Sequence, residues 1–114
     1  MAITEPYTGT EAVTTTEWSM TSDSSTLGAV TDDGIYQLWL DLNDMVLADE
    51  LEVRVYEKTR SGDTQRQVHM WKFKHVQTDK VWASPTLILL HGWEMTLKAT
   101  VGTITVLWSI RKVA

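Results

Sequence analysis

The chain has no cysteine, two prolines and one phenylalanine in 114 residues. Without thiols there can be no disulfide scaffold, no cysteine-ligated zinc and no thiol catalysis. No apolar run approaches the roughly 20 residues that a membrane-spanning helix needs. The opening Met-Ala-Ile-Thr-Glu-Pro lacks the basic and apolar blocks of a signal peptide, so synthesis in a cytoplasm without a membrane anchor is expected. Basic charge is scarce. Ten Lys and Arg stand against fifteen Asp and Glu, for a net charge of −5. Only Lys72, Lys74 and Lys80 form a loose basic group, whereas nucleic-acid binding rests on a basic face. Neither nucleic acid nor membrane is expected as a partner.

Catalytic patterns are missing as well. There is no Gly-x-Ser-x-Gly elbow and no glycine-rich phosphate loop. His69 and His75 lie on one strand, too far apart to share a metal without a bend, and His91 stands at a strand end. The acidic residues between Asp32 and Glu50 have no EF-hand spacing and read as solvated turns. A non-enzymatic protein with no cofactor and no metal is expected.

What the chain does have is alternation. Leu51, Val53 and Val55 alternate with Glu52, Arg54 and Lys58, which gives a strand one dry and one wet face. In the preceding strand Tyr36, Leu38, Leu40 and Leu42 share a face, but Ile35 and Trp39 lie on the other. A strand apolar on both sides must be covered on both, by another strand, by the N-terminal segment or by a second protein. Thr31-Asp-Asp-Gly34 reads as a tight turn, Asn43–Glu50 as a link with one short helical turn, and Arg60–Thr64 as a hairpin loop with Gly62 left-handed. A strand follows from Gln65 to Val76, with Trp71 and Phe73 toward the core, then an irregular link from Val81 to Pro85. Leu87–Leu90 fits a central strand buried on both sides. Trp93–Val101 and Ile104–Ile110 alternate cleanly and read as an antiparallel hairpin turning at Gly102.

The pattern predicts an all-β fold, an antiparallel β-sandwich or small barrel of six to seven strands with turns about every ten residues. The Thr-rich residues 1–20 read as an extended N-terminal arm with a strand near Thr15–Met20, and residues 21–114 as one sandwich domain. Six tryptophans are many for this length, and Trp serves both cores and interfaces. Trp39, Tyr56, Trp82 and Trp93 would also suit sugar stacking, so a carbohydrate-binding module is the alternative from another class. Interface candidates are Tyr7 and Trp18 in the arm, Ile35 and Trp39, the outward Arg54, Tyr56 and Lys58, and Trp82.

Three stretches carry a family resemblance: Thr31–Leu42, Glu50–Lys58, and Ser84–Leu97 with the closing Trp108-Ser-Ile-Arg111. With these the chain resembles the small structural proteins of tailed-bacteriophage heads, the capsid decoration or cement type. The resemblance implies a β-rich virion protein on the capsid surface, made in the host cytoplasm. Such a protein binds the major capsid protein and self-associates as a homo-oligomer. A head–tail connector or tail component is the alternative within virions.

Overall fold

A computed structural model describes residues 2–113; Met1 of the expected arm and Ala114 of the expected domain lie outside the described residues. Nine strands are present among them: β1 Ile3–Val13, β2 Trp18–Ser19, β3 Gly34–Asp41, β4 Glu50–Glu57, β5 Arg66–Lys74, β6 Val81–Ala83, β7 Leu87–Leu89, β8 Glu94–Val101 and β9 Ile104–Val113. They form two antiparallel sheets packed as a sandwich. One has the order β1-β9-β3-β6, with β7 also pairing β3; the other has the order β2-β8-β4-β5. The strand count exceeds the expected six to seven because β2, β6 and β7 are only two or three residues long.

The alternating runs build the core. Tyr36, Leu38 and Leu40 from β3 and Ile104, Val106, Trp108 and Ile110 from β9 face Leu51, Val53 and Val55 from β4 and Met95, Leu97 and Ala99 from β8. All are buried. At one end Trp93 packs against Tyr36, with ring centres 4.6 Å apart, and takes Tyr7 edge-on at 6.0 Å.

Several local expectations are corrected. β8 and β9 do not pair with each other. Gly102, at φ +85°, turns the chain from one sheet into the other, so the two strands face each other across the core. Alternation specifies which side is dry, and an arch and a hairpin satisfy it equally. β7 is a short strand and not a central one: Leu87 and Leu89 point inward and Ile88 points to solvent. Thr31–Gly34 contains no tight turn and runs into β3. Residues 43–49 form two turns rather than a helical one, closed by Met45 N–H to Leu42 O and Asp49 N–H to Val46 O. The loop after β4 is closed by Asp63 N–H to Arg60 O, and Gly62 is not among the positive-φ residues. Val81–Ala83 forms β6 instead of an irregular link.

In the Thr-rich segment β1 lies along β9 of the same chain, from Ile3 opposite Val113 to Val13 opposite Ile104, and of the strand expected near Thr15–Met20 only Trp18–Ser19 forms. The register slips between Thr4 and Tyr7, around Pro6, whose ring nitrogen has no proton for the ladder.

Candidate interaction surface

Strand pairing lines up a row of apolar side chains across the outside of the five-stranded sheet. Ile3 of β1 stands opposite Val113 of β9, Val113 opposite Ile35 of β3, and Ile35 opposite Ile88 of β7. Tyr36 beside Ile35, and Leu87 and Leu89 beside Ile88, are buried, so Ile35 and Ile88 point outward, and the register sets Val113 and Ile3 in the same row. Ile3 is 70% exposed and Ile88 80% exposed. A second apolar pair, Leu107 and Val81, lies toward the other end of the sheet, on either side of Asp41.

Trp39 and Arg111 separate the two ends. The Arg111 guanidinium lies 4.1 Å from the centre of the Trp39 ring. The indole N–H donates to Gln37 Oε1 at 2.9 Å, which fixes the ring's orientation. Arg111 Nε donates to Ser109 Oγ at 3.3 Å, and the Ser109 hydroxyl donates to Glu5. On either side of this ridge the surface is concave. One depression, of about 290 Å³, is lined by Ile3, Ile35, Trp39, Arg111 and Val113. The other, of about 190 Å³, is lined by Trp39, Val81, Leu107 and Arg111. The face therefore offers two apolar hollows around one cation, a layout suited to knobs from a partner surface.

The other residues singled out in the sequence are placed elsewhere. Tyr7 sits between the sheets against Trp93. Trp18 packs on the core and its N–H reaches Asp23 at 3.4 Å. Arg54 and Tyr56 lie on the outer face of the four-stranded sheet, already engaged within the chain. Arg54 pairs with Glu52 at 2.6 Å and Glu17 at 3.7 Å, and the Tyr56 hydroxyl donates to Glu17 at 2.6 Å. Lys58 lines a separate hollow beside His91 and Gly92. Trp82 is turned inward and closes the gap between the sheets against Trp71 and Phe73, at 5.1 and 5.0 Å. Trp93 is fully buried and is no sugar platform. One face of Trp39 is taken by Arg111. Ile35 and Trp39 are thus the two candidates brought together on one surface. Ile3, Val81, Ile88, Leu107, Arg111 and Val113 join them; sequence reasoning missed these six. Period two within β9 places Leu107, Arg111 and Val113 on one side, but only the cross-strand register shows whose neighbours they are.

Among the described residues no three His, Asp or Glu side chains come together as a metal-holding group. Asp49 and Glu94 are the buried carboxylates among the described residues, and Glu94 is the fully enclosed one. It accepts from Ser19 Oγ at 2.8 Å, Thr21 Oγ1 at 2.6 Å and Gly28 N–H at 2.8 Å, and so ties the loop after β2 to β8. Its bonds are structural.

No protein-family model matches the chain, and no curated protein matches it. Among solved structures it is similar to Eiger TNF from S. frugiperda, at 13% identity and a TM-score of 0.46. The alignment covers 79% of this chain and 66% of that one, just under two thirds of its length.

Proposed function

We propose that the chain is a non-enzymatic structural protein of a tailed-phage head, which docks on the assembled shell through the outer face of its five-stranded sheet. The carrying observation is the row Ile3–Val113–Ile35–Ile88, beside the Trp39–Arg111 ridge. Apolar side chains aligned across four strands and left in water are a standing gain for any partner that covers them. Covering one isoleucine contributes about 1.5–3 kcal/mol before ordering costs. The family resemblance supplies the partner: the major capsid protein, repeated over a lattice, where modest contacts add through multivalency. Self-association into homo-oligomers on that lattice belongs to the same reading.

The test is co-sedimentation with purified phage heads stripped of the protein. Wild-type protein is expected to pellet with heads, and the double substitution I35E/I88E to lower occupancy about tenfold or more. Both side chains are exposed, so the fold should persist, and a thermal melt checks it. Equal pelleting of the two proteins contradicts the docking face.

A further inference from the structure

The four-stranded sheet ends in β5, whose only strand partner among the described residues is β4. β5 is nine residues long, and Arg66–Met70 are exposed on both faces. Val68 and Met70 are each close to half exposed, and His69 stacks on the half-buried Trp71 at 5.6 Å. Native edge strands are usually kept short, bulged or broken by a charge in the middle, and β5 carries one bulge, at Val68, between the pairs Val55–His69 and Tyr56–Gln67. Here the middle, Gln67–Trp71, has no carboxylate, lysine or arginine. The charges stand at the ends and are all of one sign: Arg66, Lys72 and Lys74. Lys72 is paired with Glu50 at 3.3 Å, while Arg66 and Lys74 make no ion pair among the described residues.

We propose that β5 is a strand-addition site for an extended, acidic segment of a partner protein. The open ladder supplies main-chain bonds, Val68, Met70 and Trp71 supply apolar contacts, and Arg66 and Lys74 select negative charge. Charge also argues against a second copy. Antiparallel self-pairing centred on Met70 sets Arg66 against the partner's Lys74, a like-charge contact at both ends.

The probe is a fluorescein-labelled peptide of alternating valine and glutamate, compared with its valine–lysine counterpart and with the acidic peptide carrying a central proline. Binding is read by fluorescence anisotropy, and the site by amide hydrogen exchange. The acidic peptide is expected to bind, to protect β5 amides and to weaken about tenfold at high salt. Proline in the peptide and R66E/K74E in the protein should each weaken it about tenfold, while R66K/K74R retains binding. Equal binding of the acidic and basic peptides overturns the proposal. So does insensitivity to R66E/K74E in a variant with an unchanged melt, protection on the five-stranded sheet instead, or a β5-mediated dimer of the protein alone. None of these readouts involves phage heads, so failure here leaves the docking face standing, and the converse also holds.

Discussion

The guanidinium of Arg111 on β9 lies 4.1 Å over the ring of Trp39 on β3, on the outside of the sheet. The two residues are not direct cross-strand partners, since Trp39 faces Ser109 and Arg111 faces Gln37; they meet on the diagonal. An exposed cation–π contact contributes about 0.5–1 kcal/mol. Arg111→Ala should therefore cost little stability but open the indole face to water. The expected signature is a red-shifted tryptophan emission and stronger acrylamide quenching, both abolished in the Trp39→Phe background.

Glu94 should behave oppositely, because its partners are inside. Glu94→Ala leaves Ser19, Thr21 and the Gly28 N–H without their acceptor. Unsatisfied buried polar groups cost about 1–3 kcal/mol each, so a loss of about 2–4 kcal/mol is expected in urea unfolding, with faster exchange of amides in residues 19–28. An unchanged midpoint would mean that the loop is not held by this carboxylate.

Gly102 makes the crossover from β8 to β9. Its φ of +85° suits glycine, and a Cβ there would fall 2.2 Å from Asp49 Oδ1. Gly102→Ala should destabilise by more than about 1 kcal/mol. Gly62, with open space around it, should accept alanine with little change. Parallel denaturation curves for the two variants measure the contrast.

Alkaline pH should unfold the protein through its three tyrosines. Burial raises the pKa of Tyr7, Tyr36 and Tyr56. The hydrogen bond from Tyr36 to Asp32 and that from Tyr56 to Glu17 add to it, as does the charge of Asp32 near Tyr7. Each hydroxyl holds its proton more tightly folded than unfolded. Their contribution is complete below the ordinary tyrosine value of about 10 and is lost as pH rises above it. Melting temperature should fall beyond that pH, and tyrosinate absorbance should grow together with unfolding.

The two dry faces of the sandwich were readable because period-two alternation marks them directly: Tyr36, Leu38 and Leu40, and Leu51, Val53 and Val55, are all core. Ile35 and Trp39 were readable as a second apolar side for the same reason. Which strands lie beside β3 was not. Pairing depends on long-range register, and nothing local to Leu87–Leu90 says that it is a short strand placing Ile88 outward. Nor does the Gly102 turn distinguish a hairpin from an arch. The row Ile3–Val113–Ile35–Ile88 joins residues from four strands, so it exists only once the sheet is assembled.

Electron microscopy of phage heads, at a resolution that traces side chains, tests the proposed docking on the shell most directly. If the proposed docking holds, one ordered sandwich is expected per repeated shell position, with Ile35, Trp39 and Ile88 turned into coat protein. Density with that face in solvent, or purified particles without the protein, would contradict it.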